Sequence, residues 1–144
     1  MRFDIENQLC RAQAFVATAV SAYAYEKQTA VQDLSIGREM AVVAYPTVAA
    51  GAGSTHVLEV IQADDAALTV NVEVIASATF LAAAMTVGKQ LAVPIGQGVM
   101  SRKYIGLRDT ISGGATTVTL DAYLVPTDEI PVYKSFPKVV DAAV

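Results

Sequence analysis

Beyond residue 36 the chain is a succession of short apolar, β-branched runs cut by turn residues. "REMAVVAYP" ends at Pro46 and is followed by the flexible stretch "AAGAGS". "THVLEVIQ" runs into "ADDAA", where Asp64 and Asp65 favour a turn by bonding nearby backbone amides. "LTVNVEVIA" alternates, with Val70, Val72 and Val74 on one face and Asn71 and Glu73 on the other, the period of a half-buried strand. "KQLAVPI" reads as a strand that Pro94 confines to an edge or a bulge. "RKYIGLRDTI" and "ATTVTLDAYLV" complete the set. In the latter, Val118, Leu120, Ala122 and Leu124 share the face expected to be buried, opposite Thr117, Thr119, Asp121 and Tyr123. Residues 77–88 stay open between helix and strand: Ala, Leu and Met favour helix and Gly88 suits a helix end, but the neighbouring runs are β.

Seven or eight strands at this spacing, without the alternating helices of a parallel sheet, predict an all-β protein. The expected form is an antiparallel sandwich, barrel or jelly roll. The division expected is an N-terminal arm with a first strand over 1–36, a β-sandwich core over 37–125 and a C-terminal arm over 126–144, in a single domain overall. Pro126, Pro131 and Pro137 block ladder hydrogen bonds and favour an extended arm.

Composition narrows the functional classes. Charged residues are only 17% of the 144 and hydrophobic ones 53%, so the surface is expected to be poor in charge and to offer apolar area to a partner. A net charge of −4 argues against direct nucleic-acid binding. The nearest thing to a basic patch is Arg102, Lys103 and Arg108, read either as a solvated strand end or as a contact for an acidic partner surface. No run is long and apolar enough to span a bilayer, and Asp4 and Glu6 stand where a secretion signal would be positive, so a soluble, unsecreted chain with no membrane partner is expected. The single cysteine, Cys10, has no partner for an internal disulfide and reads as an inert, partly buried thiol.

Chemistry-bearing patterns are scarce. Gly113 and Gly114 could open a phosphate loop, but "ATTVTL" after them disfavours helix and no Lys stands in the required place, so they read as a hairpin turn. A Ser-His-Asp set would have to use the only histidine, His56, yet no GxSxG frames a serine, and a lone strand His is expected to be structural. One His and one Cys are too few for a zinc site. Tyr23 and Tyr25 are expected on one strand face, and Tyr133 and Phe136 lie in the proline-spaced tail, where they could anchor the chain on a protein surface or pack back on their own domain.

The ordered set "RFDIENQLCRAQAFVATAVSA", "DLSIGREM", "LEVIQADDAA", "FLAAAMTVGKQLAVPIGQGVMSRKYIGLR" and "GGATTVTLDAYLV" resembles a family of small capsid cement (decoration) proteins of tailed bacteriophages, over most of residues 2–125. The resemblance implies a jelly-roll β-sandwich forming small symmetric oligomers, most simply a homodimer with a trimer as the alternative. It implies a place on the outer surface of the icosahedral shell, against the major capsid protein, for a chain made in the host bacterial cytoplasm. It implies no enzyme activity and no cofactor. The interface residues expected are Arg2 and Phe3 at one end, Tyr133 and Phe136 at the other, and Arg102 and Lys103 between. Readings from other classes are a carbohydrate- or receptor-binding β-sandwich of a virion, and a head-completion or tail component.

Overall fold

A computed structural model describes residues 7–30, 32–34, 38–114 and 117–130. Among these residues nine strands form two antiparallel sheets. They are β1 (Gln8–Phe15), β2 (Ala19–Val20), β3 (Tyr25–Glu26), β4 (Met40–Val48), β5 (Ser54–Ala63), β6 (Glu73–Leu81), β7 (Leu91–Ile95), β8 (Tyr104–Gly113) and β9 (Val118–Pro126). One sheet has the order β1-β9-β4-β7; the other has β2-β8-β5-β6, with β3 also on β8. Strand 1 thus pairs 9, strands 2 and 3 pair 8, 4 pairs 7 and 5 pairs 6. That nesting is a long hairpin rolled into two packed layers, the jelly roll. The protein is an all-β, jelly-roll-like sandwich.

The core lies between the sheets. Leu9, Phe15, Val42, Leu91, Val93, Leu120 and Ala122 from one layer meet Leu58, Val60, Ile105 and Leu107 from the other. The alternation in β9 holds: Val118, Leu120, Ala122 and Leu124 are all buried. Pro94 lies on β7, at the edge of its sheet. Cys10 is fully buried, its Sγ 3.4 Å from the Leu120 carbonyl, and burial pushes the thiol up to about 12. The thiolate is the reactive form, so at about pH 8 the native chain is expected to resist a disulfide-exchange reagent and to label only as it unfolds in urea. Complete labelling under native conditions would contradict this burial.

Four local expectations are corrected. The strand expected to end at Pro46 runs on to Val48, with a register shift between them. Pro46 is tolerated because β7 pairs β4 only as far as Ala44, so one side of β4 needs no donor there. Val70 and Val72 are not in a strand: β6 starts at Glu73, because Leu68 and Asn71 take left-handed backbone (φ 59° and 51°) in the preceding turn. Tyr23 and Tyr25 do not share a strand face; only Tyr25 is in a strand and packs on the core, whereas Tyr23 is exposed. The break between β2 and β3 is made by Ser21, whose hydroxyl accepts the Leu107 amide at 3.1 Å in place of a ladder carbonyl. Finally, Gly113 and Gly114 do turn the chain, but not into a hairpin. They carry it from β8 in one sheet to β9 in the other, against the β4–β5 connection. The open stretch 77–88 resolves into the second half of β6, one 3-10 turn at Ala82–Ala84 and a loop.

Candidate functional site

Three places bring functional groups together: the basic cluster, the open edge of β6, and a polar chain inside the sandwich.

The basic cluster is dispersed by its partners. Arg102 donates to both carboxylate oxygens of Asp64 at 3.1 Å, and its Nε lies 3.7 Å from Glu73. Lys103 pairs with Glu26 at 3.0 Å and stands 5.8 Å from the Tyr104 ring centre. Arg108 grips Glu59 with two parallel bonds of 3.1 Å, and Thr110 donates to the same carboxylate. These contacts hold Glu59 below the usual carboxylate range, Arg108 first among the causes. Each cation already faces an acid, so Arg102 and Lys103 stand at the start of β8 in locally balanced charge. Arg2, Phe3, Tyr133 and Phe136 lie outside the described residues.

Arg102 and its neighbours also build the turn before β6. Asp65 accepts the amides of Thr69 and Val70 at 2.7 and 2.9 Å and the Thr69 hydroxyl, the Asx chemistry expected of this pair. Asp64 accepts from Asn71 at 2.7 Å as well as from Arg102. These bonds hold both carboxyls below their ordinary values, through Asn71 for Asp64 and Thr69 for Asp65. The turn presses Leu68 onto the outer face of the β5–β8 sheet beside Ile61 and Ala63. Gly106 makes room there, since a Cβ on it would lie 2.2 Å from the Leu68 side chain.

Strand β6 pairs only with β5 among the described residues, which leaves nine residues of backbone along the sheet edge. Its single charged residue is Glu73, and Val74 and Leu81 are exposed on it, with Val87 exposed just beyond. Edges of this length are usually blunted by Lys, Pro or a covering segment. None of the first two is in this strand. A shallow groove of about 260 Å³ opens elsewhere, between Asn7, Tyr25, Leu34, Arg38, Met40 and Leu124.

Of the third place the sequence pointed to His56 alone and not to its partners. Ser54, His56 and Asp109 are all buried, facing the inside of the sandwich from β5 and β8. Ser54 Oγ is 2.8 Å from His56 Nε2, and His56 Nδ1 is 2.8 Å from Asp109 Oδ2. The connectivity is that of a hydrolase triad, but the hydroxyl is turned the other way. Ser54 Oγ lies 2.6 Å from the Gly51 carbonyl, which can only accept, so the hydroxyl proton goes there and not toward the imidazole. Both His56 and Asp109 are at 0% exposure and Ser54 at 2%, so a substrate has no route to the serine in this conformation. Burial raises the Asp109 carboxyl above its ordinary value, opposed by the bond to His56. Lys27 is a second buried ion that sequence patterns did not reveal. At 1% exposure its Nζ donates to the carbonyls of Ala30 and Gln32 at 2.9 and 2.6 Å, and burial lowers its pKa against the opposing influence of Asp33. Among the described residues no cluster of three or more His, Cys, Asp or Glu is arranged to hold a metal, and no helix is long and apolar enough to cross a membrane.

No curated protein matches the chain. The profile of the Bbp16 family matches residues 9–124, a span that runs from β1 into β9 and so takes in both sheets of the sandwich. On that match over most of its length, the chain belongs to the Bbp16 family.

Proposed function

We propose that this protein is a structural component of a phage virion: a cement protein that binds the outer surface of the icosahedral head and clamps adjacent major capsid protein subunits. It works as a homo-oligomer, most simply a dimer, without enzymatic activity or cofactor. The observation that carries this reading is the ordered residue set from "RFDIENQLC" to "GGATTVTLDAYLV", lying on a jelly-roll sandwich. The long apolar edge of β6 supports it, because an unpaired edge can accept a strand from a neighbouring protein.

The mechanism is physical. An oligomer touching several shell subunits forms its later contacts at high effective concentration, so weak individual contacts add up to firm attachment. A two-fold dimer presents the same patch twice and bridges related sites on the shell. Binding only the expanded shell stabilises it by mass action against the pressure of packaged DNA.

The test is cryo-EM of the parent phage head. Density for a jelly roll on the outer surface over junctions between capsid subunits is expected, and its absence would overturn the reading. Deleting residues 127–144 should weaken attachment of the purified protein to heads. Full retention would remove the tail from the mechanism while leaving the sandwich in it.

A further inference from the structure

We propose that Ser54, His56 and Asp109 form a single-proton latch that closes one end of the sandwich, and that uptake of a second proton opens it. The inference is independent of the capsid reading.

The bonding pattern counts the protons. Ser54 spends its hydroxyl hydrogen on the Gly51 carbonyl, so its oxygen must accept from His56, and Nε2 must carry hydrogen. Between Nδ1 and Asp109 Oδ2, 2.8 Å apart, there is room for one proton. Whether it rests on nitrogen or oxygen, the pair is neutral as a whole. With none, a lone pair faces a carboxylate and the sandwich holds a negative charge. With two, it holds a positive one. Either charged state is strongly disfavoured in a dry interior. The place open to a second proton is Asp109 Oδ1, which is buried and has no hydrogen-bond partner among the described residues.

Among the described residues no free counter-ion faces the pair, and the charge of Glu59, which reaches Asp109 and helps to raise its carboxyl, is already shared with Arg108. On β5 and β8 the neighbouring ions are Glu59 and Arg108, bound to each other on the outer face. Glu73 of β6 is at the far end of the strand beside Arg102, and β2 and β7 carry no ionisable side chain. From the facing sheet, Tyr45 on β4 and Asp121 and Tyr123 on β9 alternate away from the buried positions, and Arg11 on β1 is exposed. Cys10 is the titratable group on the inner side of that sheet, and its thiol stays protonated. Lys27 lies beyond the opposite end of β8, its amide bonded to the Lys103 carbonyl.

What the latch holds is the crossing of two connections. Ser54 ties to Gly51, Gly51 donates its amide to the Thr117 carbonyl at 2.8 Å, and Gly114 donates to the Gly53 carbonyl at 3.1 Å. Charging the pair therefore loosens the β4–β5 and β8–β9 connections together.

The chain has one histidine, so ¹⁵N NMR of the full protein reads a single ring. Nε2 is expected to be protonated, its hydrogen donated to Ser54 Oγ. On acidification, amide exchange at 51–56 and at 113 and 114 should rise before the rest of the sheets opens. An unprotonated Nε2, or exchange that rises uniformly, would overturn the proposal. Asp109→Asn supplies an independent reading. The second proton then has only the imidazole, the more basic kind of group, to go to, so acid opening should move to higher pH. An unmoved midpoint also overturns it. Asp64 and Asp65 do not confound the result. Their lowered values give stability that is present above their unfolded pKa and lost as pH falls through the folded one, in a window below about pH 4 that the substitution leaves alone.

Discussion

Replacing Asp109 with alanine is expected to destabilise the sandwich by about 3–5 kcal/mol, the range for removing one partner of a buried, hydrogen-bonded pair. The carboxylate is fully buried and, among the described residues, is the only side chain bonded to His56 Nδ1, so alanine leaves a polar nitrogen and a small void inside the core. For a chain of this size that corresponds to a fall in Tm of roughly 10 °C or more. The double replacement His56→Leu with Asp109→Leu should cost much less than the sum of the single ones, because it removes both desolvated groups at once. Urea unfolding of the four proteins measures the coupling. Single replacements that cost under about 1 kcal/mol would mean that the pair is solvated and the interior is not dry there.

Gly114→Ala is the second large effect. A Cβ at this position would lie 2.3 Å from the Ala52 carbonyl oxygen and 3.1 Å from the Gly53 carbonyl carbon. Those are backbone atoms, not a side chain that can swing aside, so the crossing of the two connections must separate. The expected cost is about 2–3 kcal/mol, that of overpacking a site that cannot relax. Gly88→Ala is the control. Gly88 has φ +77° but nothing within 4 Å, so it should lose only about 1 kcal/mol for the backbone conformation alone. Gly114 itself is not in left-handed backbone, so a loss no larger than that at Gly88, measured by thermal unfolding, would show that the close approach relaxes cheaply and does not set the Gly114 requirement.

Gly114 also shows where reading a sequence by local rules stops. Two glycines before a β-branched run announce a turn, and a turn is what forms. Whether the turn folds a strand back on its neighbour or sends it to another sheet depends on where β5 already lies. Ser54 stands opposite Gly113 at the end of the β5–β8 pairing, so the chain leaving Gly114 meets the β4–β5 connection and crosses to the facing layer. The same reasoning explains Val70 and Val72. Their alternation is a correct strand signal, but Asp65 captures the Thr69 and Val70 amides and Asn71 turns left-handed, so the strand begins two residues later.

By itself, the sequence determined the β character of the chain, the inward face of β9, the turn at Asp64–Asp65 and the confinement of Pro94 to an edge. Each rests on residues within a few positions of one another, through the period-two geometry of strands and the short reach of Asp side chains. Tertiary structure alone decided that Arg102, Lys103 and Arg108 are each answered by a different carboxylate, that Lys27 is buried beneath two carbonyls, and that His56 meets Asp109. The last pair is separated by 53 residues and brought together diagonally across the β5–β8 ladder, where Leu58 stands opposite Asp109 and Ile111 opposite His56. A lone histidine in a β run carries no mark of its partner, because the contact is made by register between strands and not by spacing along the chain.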